Sequence, residues 1–168
     1  MTELKKEPIH TISILVANKP GVLVRVALVF ARRGYNIDSL VVSATVNPKF
    51  SRMTITAKGS LEMLDQIIKN VSKLVDVIHA SEHDSSHAVD RELALIKIKD
   101  TPANKAAIAK HSKQYHAKIV DTTDKNLIIA QSGTTVELNE FEALLKKLGV
   151  LEYVRSGKLL MARGKEQT

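Results

Sequence analysis

Ile9-His10-Thr11-Ile12-Ser13-Ile14-Leu15-Val16-Ala17-Asn18-Lys19-Pro20-Gly21 runs directly into Val22-Leu23-Val24-Arg25-Val26-Ala27-Leu28-Val29-Phe30-Ala31-Arg32-Arg33-Gly34, and this stretch decides the fold. Ile9 to Val16 is rich in β-branched residues in loose alternation, which predicts a strand. Ala17 to Gly21 is a loop by its turn chemistry. Val22 to Arg33 has the pattern of a helix, and Gly34 stops it. A helix lying on a sheet needs one apolar stripe, which Leu23, Val26, Ala27 and Phe30 supply. Val22, Val24, Leu28 and Val29 are apolar too, so only Arg25, Arg32 and Arg33 are strongly polar. A helix apolar nearly all round is buried on more than one side, and in so small a domain the second side implies another copy of the chain, a homodimer.

Working outward, Ile37 to Val46 and Phe50 to Lys58 read as strands joined by a hairpin at Asn47-Pro48-Lys49. Ser60 caps a helix from Leu61 to about Lys73, with Glu62 and Asp65 in its early turns. Val75 to Ala80 is a fourth strand, and the order βαββαβ is the split ferredoxin-like arrangement. The polar segment Ser81 to Asp90 reads as a linker. The order then recurs: a strand at Glu92 to Lys99, a helix at Pro102 to His116, strands at Ala117 to Thr122 and Leu127 to Gln131, a helix at Val136 to Leu148 stopped by Gly149, and short strands at Val150 to Arg155 and Leu159 to Ala162. The expectation is an α+β chain of two ferredoxin-like domains, residues 1–82 and 91–168, with residues 83–90 between them.

Composition narrows the class. The chain has 168 residues, no Cys and no Trp, so neither a disulfide framework nor a thiolate metal site is available. No apolar run approaches the ~18 residues of a membrane span. Met1 to His10 is polar and lacks the apolar stretch of a secretory signal, so the expected location is the cytoplasm. The net charge of +7 is shared between the halves, with 11 basic and 7 acidic side chains in residues 1–82 and 14 and 11 in residues 83–168. No basic block exceeds two residues, which favours a solvated basic surface, or an acidic protein partner, over a nucleic-acid face.

The loop Asn18-Lys19-Pro20-Gly21 precedes a helix N-terminus, where backbone N–H groups lack helical partners and the helix dipole adds positive charge. Gly21 permits close approach of a ligand, and the Asn18 side-chain carbonyl can accept from an ammonium group. These features suit a free amino acid. An ordinary turn contains the same residues, so the chemistry alone leaves both readings open. Phosphate-loop spacings are absent. Asn36, after Gly34-Tyr35, is by itself a turn residue.

Asn18 to Leu23 followed by Arg25-Val26 resembles the opening of an ACT domain, a common amino-acid-sensing module. Arg32-Arg33-Gly34-Tyr35-Asn36-Ile37-Asp38-Ser39-Leu40, Ser51-Arg52-Met53-Thr54-Ile55, Lys73-Leu74-Val75-Asp76-Val77 and Arg91-Glu92-Leu93-Ala94-Leu95-Ile96-Lys97 are similar to acetolactate synthase regulatory subunits. Arg155-Ser156-Gly157 and Ala162-Arg163-Gly164 fit more weakly. The resemblance implies ACT domains paired side by side into one sheet, with a feedback inhibitor, usually valine, at the dimer interface. The binding residues it implies are Asn18, Lys19, Pro20, Gly21, Val22 and Leu23 of one protomer with Asn36 and Ile37 of the other. It also implies that the C-terminal domain contacts a separate catalytic subunit holding thiamine diphosphate, a divalent metal and FAD, while this chain holds no cofactor and no metal.

Other constellations are weaker. His79, His83 and His87 would align on a helix, but they straddle a strand end and the linker, and read as exposed polar residues. His111 and His116 read as helix surface. No catalytic triad or carboxylate pair follows from spacing, and the G-D-G signature that opens a thiamine diphosphate site is absent. A regulatory subunit is therefore expected rather than an enzyme. The alternative is a free-standing ACT-type sensor acting on another enzyme or a transcription factor, which would need a DNA-binding element not visible here. RNA binding would need aromatic residues that Phe50 to Ile55 does not supply.

Overall fold

The computed structural model describes residues 8–84, 86–165 and 168. Most of the polar stretch Met1 to His10, and Ser85 of the expected linker, lie outside the described residues. Two compact units divide near residues 89 and 157: residues through Val89 group with those from Lys158 onward, and Asp90–Gly157 form the second.

The first unit contains β1 (Ile9–Ala17), α1 (Val22–Ala31), β2 (Ser39–Ala44), β3 (Phe50–Lys58), α2 (Leu61–Val71) and β4 (Val77–Glu82). Its antiparallel sheet has the order β2-β3-β1-β4. Ile12, Ile14 and Val16 of β1 and Met53, Ile55 and Ala57 of β3 face the helices, where Val22, Val26, Phe30, Leu64 and Ile67 meet them. Apolar burial at roughly 25 cal/mol per Å2 makes this cluster the main stabiliser of the unit. On the other face Ser13 is fully buried and its Oγ lies 2.9 Å from His83 Nε2.

The apolar stripe of α1 is rotated from expectation. Val22, Val26 and Phe30 are buried, and Val29 packs beside them, whereas Leu23 is 41% exposed. Leu23 therefore belongs to the outer face with Val24 and Leu28, which are 60% and 42% exposed. The fourth strand begins two residues later than expected because Leu74 accepts from Val77 N–H, holding residues 74–77 in a turn. The Ser60 cap is present, its Oγ accepting from Met63 N–H at 3.3 Å. The hairpin at Asn47 is also present, closed by Phe50 N–H donating to Asn47 C=O.

The second unit comprises most of β5 (Ala88–Lys99), then α3 (Pro102–His111), β6 (Ala117–Thr122), β7 (Asn126–Gly133), α4 (Thr135–Lys146) and β8 (Val150–Arg155), with sheet order β6-β7-β5-β8. Ile96, Ile98, Leu127 and Ile129 pack against Ile108 of α3 and Leu138, Phe141 and Leu145 of α4. The α4 start is a capping box in which Thr134 and Glu137 satisfy each other's backbone N–H groups. The helix α3 stops at His111, five residues before the expected end, and His116 takes a positive φ of 51° in the turn that follows.

Two boundaries differ from the sequence reading. Strand pairing reaches further into the expected linker than composition implies: His83 N–H donates to Thr11 C=O at 2.9 Å, and β5 starts at Ala88. The final strand, β9 (Leu159–Ala162), pairs β5, and Arg163 N–H donates to His87 C=O. That contact explains why residues from Lys158 onward group with the first unit, although they were expected in the second domain. Among the described residues, no helix is long and apolar enough to cross a membrane.

Candidate effector site

The loop after β1 is fixed from three directions. Ala17 N–H donates to Asp76 C=O and Asn18 N–H to Lys49 C=O, both at 2.8 Å. The Asn18 side-chain Nδ2 donates to Pro48 C=O at 3.0 Å. Because Pro48 offers only an acceptor there, the amide orientation follows, and Asn18 Oδ1 remains an acceptor for a ligand. Gly21 sits at φ +80°, a left-handed conformation that glycine adopts without penalty, and acts as the N-cap of α1. The first intrahelical bond is Arg25 N–H to Gly21 C=O at 3.1 Å, so the amides of Leu23 and Val24 precede the ladder. The first turn carries no acid and Gly21 makes no side-chain cap, which leaves the positive end of the helix dipole uncompensated. Arg25 stands close by and pairs with Asp76 at 2.5 Å. Lys19 and Pro20 are exposed. Val22 lies in the core, so only its backbone is available at the site.

Asn36 and Ile37 lie beyond the opposite end of α1. Gly34 turns the chain at φ +70°, and Tyr35 N–H donates to Phe30 C=O. Asn36 is exposed, its Nδ2 3.5 Å from Asp38 Oδ1, while Ile37 packs partly on the core. A recess of about 570 Å3 opens here, lined by residues including Tyr35, Asn36, Asp38, Lys58 and Ser60. A ten-residue helix at 1.5 Å per residue holds the two groups roughly 15 Å apart. One chain therefore does not bring Asn18–Leu23 together with Asn36.

The histidines take separate places. His83 is buried and bonded to Ser13 and Ser81, which corrects its reading as an exposed linker residue. His87 turns onto Asp84, whose carboxylate also accepts from Ser86; the Ser86 hydroxyl, more than the His87 contact, holds Asp84 well below the usual carboxylate range. Among the described residues there is no metal-ligating cluster. The sequence reading missed a buried ion pair in the second unit: Glu92, 5% exposed, accepts from Arg155 Nε and Thr135 Oγ1, and Arg155 also donates to Asn139. Its one local signal is an acid in the inward register of a strand whose next inward residues are Ala94, Ile96 and Ile98.

Residues 12–79 match the family described as the AHAS small subunit-like ACT domain, and residues 91–164 match the small subunit of acetolactate synthase. A probable acetolactate synthase small subunit of Archaeoglobus fulgidus is 40% identical over 94% of this chain and 99% of its own. The acetolactate synthase small subunit of Mycolicibacterium smegmatis is also 40% identical, over 94% of this chain and 92% of its own. This chain belongs to the acetolactate synthase small-subunit family. The crystal structure of the Thermotoga maritima small subunit superposes with a TM-score of 0.85 at 36% identity, covering 95% of this chain and 99% of that one. The first unit thus has the ACT fold, and the small-subunit identity implies a catalytic subunit as partner.

Proposed function

We propose that this small subunit is non-catalytic and works as a homodimer: it activates the thiamine diphosphate-dependent catalytic subunit and confers feedback inhibition by valine or another branched-chain amino acid. The supporting observation is how the two half-sites are distributed about β2. Asn36 and Ile37 precede the start of this strand, while Asn18 is tied to the turn after its end through Pro48 and Lys49. β2 is an edge strand without charge or proline, the kind of edge that is normally covered. Antiparallel pairing of β2 with its copy sets the start of each strand against the end of the other. Asn36 of one protomer then approaches the Asn18 loop of its partner, and the apolar outer face of α1 faces its counterpart.

In this arrangement the effector carboxylate is held by the amides at the start of α1, its ammonium by Asn18 Oδ1 and the Asn36 side chain, and its aliphatic part by Leu23. A free-standing sensor is the competing assignment, and complex formation separates the two. The deciding assay measures acetolactate formation by the catalytic subunit with and without the chain, across a valine titration. Higher turnover that valine suppresses is the expected result. No effect on the synthase would overturn the proposal.

A further inference from the structure

Arg25 is the fourth residue of α1, and its guanidinium reaches back to the start of the helix, where the positive end of the dipole opposes a cation. The structure nevertheless fixes it there. Its Nη2 donates to Asp76 Oδ2 at 2.5 Å. Asp76 is itself held in place: its side chain is 11% exposed, and its C=O accepts from Ala17 N–H. The other terminal nitrogen, Nη1, lies against the cap, since a Cβ at position 21 would stand 3.3 Å from it. The guanidinium therefore joins the residue before β4 to the backbone of Gly21, with one arm taken and the other presented over the glycine. Among the described residues, Asp76 is the one group to which the Arg25 side chain donates.

Lys19, in the same loop, is exposed and forms no ion pair among the described residues, so nothing aims its ammonium at the cap. Arg25 is aimed. Three groups that favour an anion meet at the start of α1: the amides of Leu23 and Val24, which precede the helical ladder, and Arg25 Nη1. The first turn supplies no acid of its own to answer them. A planar guanidinium presents its N–H groups as a fixed fork, so one arm can stay on Asp76 while the other meets a second carboxylate. We infer that Arg25 is a further effector-binding residue, which gives Nη1 to the α-carboxylate of the effector while Asp76 acts as its positioning residue. The site is then selective for a free carboxylate. The α-amide of the same amino acid is neutral and sets a donor among donors, which leaves the guanidinium unanswered. The inference rests on the effector reading above and adds a residue that neither half-site included.

The test titrates the full chain with L-valine, L-leucine and L-isoleucine, and with the α-amide of whichever binds most tightly. Nuclear magnetic resonance reads weak as well as tight binding, and circular dichroism checks the fold of each variant. Arg25→Gln is expected to lose about tenfold or more in affinity for the amino acid, the worth of a charge-assisted hydrogen bond, and to bind the amide as wild type does. Arg25→Lys keeps a cation for Asp76 but lacks the planar fork, so it should lose several-fold, again for the amino acid alone. If Arg25→Gln fails to fold with Asp76 left unpaired, the lysine variant decides. If the amide is too weak to titrate, partial recovery in Arg25→Lys relative to Arg25→Gln supports the inference, and its absence overturns it. Equal losses for amino acid and amide would show that Arg25 only shapes the loop. Unchanged affinity for the amino acid would show that Arg25 does not touch the carboxylate. Either result overturns the inference and leaves the effector reading intact, whereas a wild-type chain that binds none of the three amino acids would overturn both.

Discussion

At the scale of single residues, Gly21 is the position where charge and shape meet. A carboxylate ~4 Å from an effector carboxylate opposes it by about 4 kcal/mol at an effective dielectric of 20. Gly21→Asp should therefore abolish the valine response at millimolar effector. The variant is expected to fold, because Asp tolerates the left-handed region better than most residues and is a favoured N-cap. Gly21→Ala serves as the control for strain: its Cβ meets Arg25 Nη1 at 3.3 Å but brings no charge, so it should weaken valine binding far less. Asn36→Ala should raise the inhibitory valine concentration by about 2–10-fold, the value of one hydrogen bond of ~0.5–1.5 kcal/mol. Acetolactate assays across a valine titration measure all three, and a Gly21→Asp complex inhibited like wild type would refute the effector loop. Arg155→Met poses a different question, because it leaves the Glu92 carboxylate buried without its cation. A loss of roughly 3 kcal/mol is expected, with the double variant Glu92→Met/Arg155→Met recovering a good part of it. Denaturant melts of the two variants measure that difference, and equal melts would show that the pair is not coupled.

At the scale of elements, α1 carries two apolar faces with different duties. Leu28 lies on the outer one, so Leu28→Lys should weaken the dimer by placing a charge at the proposed seam, with little effect on the fold. Val29 packs on the chain's own core, and Val29→Lys should instead destabilise the monomer. Sedimentation and thermal melts of the two variants separate these outcomes. The same helix shows what the sequence reveals and what it conceals. Its start at Val22 was legible, since Pro20 and Gly21 act locally. Its end falls at Ala31, two residues before the expected Arg33, because the chain already tightens into a turn there, with Arg33 N–H donating to Phe30 C=O and Gly34 N–H to Ala31 C=O. The identity of its inward stripe was not legible, because a helix of nearly uniform hydrophobicity has no preferred face until a sheet is placed against it. Phe50–Lys58 was legible to the residue, bounded by the Asn47 turn and Gly59. The expected linker failed in part because its polar residues pair in strands: β4 runs through Ser81 and Glu82, and β5 takes in Asp90. Glu92 and Arg155 stand 63 residues apart and meet only through the register of β5 with β8, which no local pattern encodes. Asn18 was marked by the chemistry of its loop and Asn36 only through family resemblance, and what the structure adds is their separation along α1.

At the scale of the molecule, the division of labour can be tested by cutting after Val89. The resulting fragment retains the first hydrophobic cluster intact. It is expected to bind valine in calorimetry and to fail to activate the synthase. A fragment that activates fully would contradict the expectation that the C-terminal domain contacts the synthase. The fragment also lacks the chain from Lys158 onward, which groups with the first unit, so it should melt below the full-length protein. That grouping has a consequence for how the protein is made. The second unit interrupts the first, and ribosomes add roughly 5–20 residues per second. The first unit therefore waits several seconds, while Asp90 to Gly157 is translated, for the segment that completes it. A stop codon just after Gly157 would leave the residues of the later-made unit in place and remove part of the earlier one, so such a truncation should lower the melting temperature of the first unit rather than of the second.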